Sequence, residues 1–213
     1  MAEDENRDNE LKIPQRATIR ADDLTALDSP SAKLPTVKLK LTKTLKVINE
    51  MQAAGAIGRY AIGGAVGATF YLEPVPTMDV DVFVAIIPEA GRLIITPQPI
   101  YDYLTAKGYT PVGESLKIED WLVQFLPPTG PLVEEGIAQA REVDVEDVRT
   151  FVLSAEHLVA VALQTGRPKD KARILQFIES GVLDEGRLRD IFSRHQLLEK
   201  WAVFERQFLG GES

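Results

Sequence analysis

Two glycines and two aspartates carry the chemistry that the residue types and spacing allow. Gly63-Gly64 follows a short apolar stretch ending in Ala61-Ile62, and 14 residues later comes Asp79-Val80-Asp81. In an extended strand successive side chains alternate between faces, so Asp79, Asp81 and Phe83 share one face while Val80, Val82 and Val84 share the other. Two carboxylates on one face can share a divalent cation such as Mg2+ or Mn2+. A glycine pair at a strand-to-helix turn lets bare backbone approach a triphosphate, and a helix N-terminus adds N–H donors and a favourable dipole. Metal-assisted phosphoryl transfer is the chemistry these parts permit.

The other candidates fall away one by one. Glu142-Val143-Asp144-Val145-Glu146 also alternates acids with valines, but no glycine turn precedes it, so it reads as the solvated face of a hairpin. His157 and His195 are the only histidines, too few for a histidine metal cluster and too isolated for a nucleophile triad. No Gly-x-x-x-x-Gly-Lys-Ser/Thr loop occurs, which argues against a P-loop ATPase. Trp121, Trp201, Phe204 and Phe208 read as core or helix-packing residues. Arg59 and Arg92 stand near the motif, and each is a surface arginine by default.

The elements that must position the motif follow from periodicity. Val37, Leu41, Leu45, Ile48 and Met51 recur at helical spacing, with Gly55 as a cap and Lys38, Lys40, Lys43 and Lys46 on the opposite face. These lysines read as a solvated face, with a phosphate or RNA contact as the sharper reading. A short strand then leads into Gly63-Gly64, a helix is expected from Ala65 to about Leu72, and Glu73-Pro74-Val75-Pro76 breaks it. Residues 78–86 alternate as a strand. A helix is expected near 99–107, a strand over 121–126, a helix over 131–140 and a hairpin over 141–153. Ser154 is a good N-cap, and four helices are expected from there to the end, with Pro168 opening the second, Asp184 capping the third and Trp201 in the last. The pattern predicts an α/β (α+β) fold in three parts: an N-terminal arm over 1–33, a mixed-sheet core over 34–153 and a helical unit over 154–213.

The bulk composition agrees with a globular chain. The 213 residues hold 24 basic and 32 acidic side chains, a net charge of 24 − 32 = −8. That balance disfavours nonspecific coating of nucleic acid. The absence of cysteine excludes a disulfide framework, a thiolate zinc site and a cysteine nucleophile. No stretch reaches the roughly 18 apolar residues of a membrane span, so no membrane partner and a cytoplasmic location are expected.

Gly63-Gly64 followed by Thr77-Met78-Asp79-Val80-Asp81 resembles the signature of the polymerase-β-type nucleotidyltransferase superfamily. Within it the chain is similar to bacterial minimal nucleotidyltransferases and abortive-infection toxin nucleotidyltransferases. Val123-Gln124-Phe125-Leu126-Pro127, Ser154-Ala155-Glu156-His157-Leu158 and Gly166-Arg167-Pro168-Lys169-Asp170 are weaker echoes, and the resemblance spans about residues 36 to 208. It implies a nucleotidyltransferase fold in which Gly63 and Gly64 hold nucleotide phosphates, Asp79 and Asp81 bind magnesium, and Thr77 supports the loop or touches a phosphate. It implies that Lys169 neutralises phosphate charge while Asp170 orients it; the plainer reading of Asp170 is a helix-terminus acid favoured by the dipole.

One departure stands out. Many members carry a third acid on a later strand, where this chain has Gln124. An amide can accept a hydrogen bond but cannot act as a general base. Two readings stay open: a metal-dependent nucleotidyltransferase acting on an acceptor hydroxyl of RNA (tRNA included), protein or a small molecule, and a non-catalytic nucleotide- or partner-binding protein, such as a toxin–antitoxin component.

Overall fold

A computed structural model describes residues 34–85 and 97–210, with side chains described from residue 41 onward. The N-terminal arm, with its Leu24 and Leu27, and Arg92 lie outside the described residues, as do the side chains of Lys38 and Lys40.

Helix α1 (Leu34–Ala53) leads to β1 (Tyr60–Ile62), α2 (Gly64–Ala68) and β2 (Asp79–Val84). Then follow α3 (Gln98–Ala106), β3 (Thr110–Val112), β4 (Ser115–Ile118), β5 (Trp121–Leu126), α4 (Pro131–Ala138), β6 (Arg141–Val145) and β7 (Val148–Val152). Four helices close the chain: α5 (Ala155–Thr165), α6 (Pro168–Ser180), α7 (Glu185–Arg194) and α8 (Leu198–Phe208). The seven strands form one mixed sheet in the order β3-β4-β5-β2-β1-β7-β6. β2 runs parallel to β5 and antiparallel to β1, and β1 meets β7 in parallel.

The alternation expected in β2 sorts the layers. Val80, Val82 and Val84 are fully buried in a core shared with Leu45, Ile48 and Met51 of α1 and Ile100 and Leu104 of α3. Burying each valine stabilises the fold by about 1.5–3 kcal/mol. On the reverse face a second core joins Leu132 and Ile137 of α4 to Val159, Phe177, Ile191 and Trp201 of the C-terminal helices, and Phe83 packs against it. The carboxylates therefore start from the face covered by the second core. Ser154 caps α5 by accepting from the His157 N–H (3.3 Å), and Gly166 and Gly181 end α5 and α6 in left-handed conformation.

Two expectations need correction. The helix after the glycine pair is one short piece, Gly64–Ala68, continued only by turns through Leu72. Thr69, Phe70 and Tyr71 bring β-branched and aromatic side chains, and the chain turns toward Pro74. The hairpin β3–β4 stands where no element is expected, because Pro111, Gly113 and Glu114 break the apolar alternation. Pro111 is tolerated because β3 is the edge strand, and Gly113 takes the positive φ (62°) of the turn. Among the described residues no helix is long and apolar enough to cross a membrane.

Candidate active site

The glycine turn and the aspartate strand meet as the spacing requires. The Gly63 N–H donates to the Asp81 carbonyl (2.9 Å), which seats the turn on β2. Gly64 has φ +59°, and a Cβ on it would lie 2.8 Å from the Asp81 Cγ and collide with its carboxylate oxygen. A Cβ on Gly63 would run into the Phe83 ring, 2.8 Å from Cδ2. Both glycines are thus required by close approach, and Gly64 also by its left-handed backbone. The first intrahelical bond of α2 runs from the Gly67 N–H to the Gly63 carbonyl (2.7 Å), so the Gly64, Ala65 and Val66 N–H groups precede the ladder.

Asp79 is exposed and Asp81 half-buried, two residues apart on one face of β2. Loss of hydration on burial raises the Asp81 pKa; the positive charges of Lys169, Arg167 and Arg173 oppose that rise, and Asp79 adds to it. A carboxylate pair of this kind, one member desolvated, suits a hard cation. Mg2+ is ordinarily held by one or two carboxylates together with substrate phosphates and water. Asp79 and Asp81 would hold such an ion, and among the described residues no group of three or more histidine, cysteine or acidic side chains is placed to hold a metal ion. Thr77 supports the strand entrance: the Asp79 N–H donates to its hydroxyl at 3.4 Å.

Gln124 sits beside Asp81. Their Cα atoms are register partners across the parallel β2–β5 pair, as are those of Asp79 and Leu122. The strand position flanking Asp81 on the site face is therefore filled by an amide. Asp120 and Glu119 lie back in the β4–β5 turn, and the Glu119 carboxylate takes the Tyr109 hydroxyl (2.9 Å).

The start of α6 supplies the cations. Asp170 is buried, and its carboxylate accepts from Arg167 Nε (2.7 Å), Arg167 Nη2 (3.3 Å) and the Arg167 backbone N–H (3.3 Å). Arg173 approaches the same carboxylate at 3.9 Å. Asp170 is thus both a helix-start acceptor and the anchor of two guanidinium groups, while Lys169 next to it is exposed. Arg167 and Arg173 were not singled out by sequence reasoning; their i,i+3 spacing from Asp170 is the signal that would have found them. Arg59 is occupied elsewhere, donating to the Ala138 carbonyl (3.2 Å). Lys46 pairs with Asp147 (3.1 Å) on the solvated face of α1. Glu142 and Asp144 face Arg149 across the hairpin, as a solvated face would.

The two histidines are not isolated. Glu135 accepts from Arg194 Nη2 (2.6 Å) and contacts His195 Nε2 (2.8 Å) and His157 Nε2 (3.3 Å). Desolvation works against the Glu135 charge, but hydrogen bonds from Arg194 and His195 and the charges around them bring its pKa down to about 2. His157 is fully buried; desolvation lowers its pKa, and Glu135 only partly offsets this. Ser154 Oγ stands 3.0 Å from His157 Nδ1, yet it is buried and serves as the α5 cap, so the Ser154-His157-Glu135 chain is a clamp and not a nucleophile triad. It ties α4, which packs on β1 and β2, to α5 and α7.

No protein-family model matches the sequence, and no curated protein matches it. Among solved structures, the chain is similar to an antigenic nucleotidyltransferase-like protein from Paracoccidioides brasiliensis, with 15% identity, a TM-score of 0.59, and 80% of this chain and 89% of that chain covered. It also matches the antibiotic-resistance factor ANT(2'')-Ia, with 13% identity, a TM-score of 0.48, and 83% and 99% covered. The first of these likenesses, together with the seven-stranded mixed sheet and its flanking helices, shows that the chain has the fold of the nucleotidyltransferase superfamily.

Proposed function

We infer that this protein is a metal-dependent nucleotidyltransferase that moves a nucleoside monophosphate from a nucleoside triphosphate (NTP) to an acceptor hydroxyl. The observation that carries this reading is the packing of Gly64 against Asp81, with the Arg167, Lys169 and Arg173 charges reaching the same carboxylate. Gly63 and Gly64 are read as the turn that lets the triphosphate approach backbone N–H groups. Asp79 and Asp81 are read as the magnesium ligands, and Thr77 as the support of their strand. Magnesium, when bound there, supplies charge neutralisation to the phosphates. Lys169, with Arg167 and Arg173 aimed by Asp170, is read as the cationic bank facing the triphosphate.

In the reaction the acceptor oxygen attacks the α-phosphorus and the bond to the bridging oxygen breaks. Pyrophosphate leaves, and the hydroxyl proton passes to water. Gln124 cannot take that proton, so its part is to orient the acceptor by hydrogen bonding. Positioning and electrostatics then supply most of the rate. An NTP substrate fits a cytoplasmic protein.

The amide at Gln124 favours a second reading: a nucleotide- or partner-binding protein of this fold, such as one member of a toxin–antitoxin pair, that does not turn over. A label-transfer assay separates the two. Each α-labelled NTP is supplied with Mg2+, and total tRNA, cell protein and an aminoglycoside serve as acceptors. Label that vanishes in Asp79→Asn/Asp81→Asn supports the enzyme. No label with intact Mg2+-dependent nucleotide binding supports the binding protein.

A further inference from the structure

Consecutive residues in the first turn of α5 meet three other elements. The Glu156 carboxylate accepts from the Asp184 N–H (3.2 Å) at the start of α7. His157 stands against α4: a Cβ on Gly136 would lie 3.4 Å from His157 Cδ2 and 3.0 Å from Leu153 Cδ2. Leu158 reaches α2, where a Cβ on Gly67 would lie 3.3 Å from Leu158 Cδ2. Because α2 leaves the glycine turn, α5 rests on the turn's own helix and on α4 together. At its other end α5 runs through Gly166 into Arg167, which opens α6. α6 packs along α5, and its Phe177 ring lies 6.1 Å from that of Tyr71. The place of Arg167, Lys169 and Arg173 relative to Asp81 therefore depends on how α5 is seated.

Two kinds of contact seat it. Leu158 on Gly67 is apolar packing, which is not directional. The contact of His157 with Glu135 is directional, and its protons follow from the partners. A carboxylate only accepts, so His157 Nε2 carries a hydrogen and donates to Glu135 Oε1 (3.3 Å). In a neutral ring Nδ1 is then an acceptor. Ser154 Oγ, 3.0 Å away, donates to it while accepting the His157 backbone N–H (3.3 Å). Burial favours this neutral ring. Arg194 and His195 at the end of α7 donate to the same carboxylate. Stability alone does not call for a polar ring at a fully buried position, since apolar side chains of similar volume often serve as well there. What the polar junction adds is one defined arrangement of α5 against α4.

We propose that His157 and Glu135 are positioning residues for the nucleotide: their hydrogen bond holds α5 on α4 in the seating that aims Arg167, Lys169 and Arg173 at the triphosphate. The inference rests on the reading of those three cations as the bank facing an NTP held at Gly63-Gly64 and Asp79-Asp81. His157 and Glu135 act through α5 and α6 and not by touching the nucleotide.

The test is a double-mutant cycle on the full-length protein, read as equilibrium binding of each NTP with Mg2+, so it requires no turnover. Arg167→Gln should weaken binding by at least about tenfold in the otherwise wild-type chain, as a charge-assisted contact is lost. His157→Phe fills the same space without the donor and should weaken binding by at least about fivefold through misplacement of the bank. In that background Arg167→Gln should cost less than about threefold, because a misaimed guanidinium has less to lose. Glu135→Met repeats the cycle from α4 and decides the matter where His157→Phe does not fold. His157→Gln, whose side-chain amide donates as Nε2 does, should restore most of the affinity. A purely structural junction would lower thermal midpoints and leave the losses additive. Additive losses in the cycle overturn the proposal, as does wild-type affinity in folded His157→Phe or Glu135→Met. Wild-type affinity in Arg167→Gln overturns the cationic-bank reading and the proposal with it. Absence of Mg2+-dependent NTP binding by the wild type overturns the site reading beneath both.

Discussion

Gly64 lies so close to Asp81 that any side chain at this position would occupy the space of the carboxylate. An added Cβ would sit 2.8 Å from Asp81 Cγ and 3.1 Å from its Cβ, and the backbone is already at φ +59°. The glycine turn and the carboxylate strand are therefore one unit, and a change in either is felt by the other.

Gly64→Ala should cost about 1–2 kcal/mol from the left-handed backbone alone, with a further penalty from the displaced carboxylate. Gly55→Ala is the control: its φ is +75° but nothing lies within 4 Å of an added Cβ. Thermal denaturation should show both losing stability, with only Gly64→Ala losing Mg2+-dependent nucleotide binding.

Asp81→Asn should separate stability from function. Burial raises the pKa of this carboxylate, so the charged form is disfavoured in the fold, and its stability cost is present at neutral pH and relieved as pH falls through the raised value. Removing the charge should leave the thermal midpoint unchanged or higher in the absence of metal. Adding Mg2+ with NTP should raise the midpoint of the wild type and not that of Asp81→Asn.

Acidification should loosen the Glu135 clamp in two stages. The folded pKa of His157 is lowered, so the stability of its neutral form is complete above its ordinary value of 6.5 and declines as pH falls through that value toward the folded one. Glu135 sits at about 2 against 4.5, so its contribution is complete above 4.5 and is lost as pH falls from 4.5 toward 2. A pH series of thermal midpoints should show both declines, and Glu135→Gln should remove the lower one.

Gln124→Asp should place a third carboxylate beside Asp81 and supply the missing base. General-base assistance contributes about 10²–10⁴-fold in favourable cases, so transfer should rise by at least about tenfold. Gln124→Ala should slow it. Asp170→Asn keeps an acceptor for the Arg167 N–H but removes the charge that Arg167 and Arg173 face, so it should raise the KM for NTP as the two guanidinium groups lose their anchor. A rise in KM with kcat retained separates that anchoring role from a general loss of fold.

The fold was legible wherever one face of an element is buried. The valines of β2, the apolar stripe of α1 from Leu41 to Met51 and the caps Ser154 and Asp184 all read out in the structure. The β3–β4 hairpin was not, because an edge strand with Pro111 at its centre has no alternation to detect. Gly63-Gly64 and Asp79-Asp81 come together as their spacing requires, since adjacent strands and a tight turn leave little freedom. The pairing of Gln124 with Asp81 depends on register between strands 43 positions apart, and local pattern cannot fix register. The Glu135 clamp escaped for a similar reason: its partners come from α4, α5 and α7, joined only by packing.

Equilibrium binding of each NTP in the presence and absence of Mg2+, to the wild type and to Asp79→Asn/Asp81→Asn, tests the central claim most directly. The account predicts Mg2+-dependent binding by the wild type that is lost in the double variant while its fold is retained. Binding that ignores both the metal and the two substitutions would contradict it, because the Gly63-Gly64/Asp79-Asp81 constellation would then have no part in holding the nucleotide.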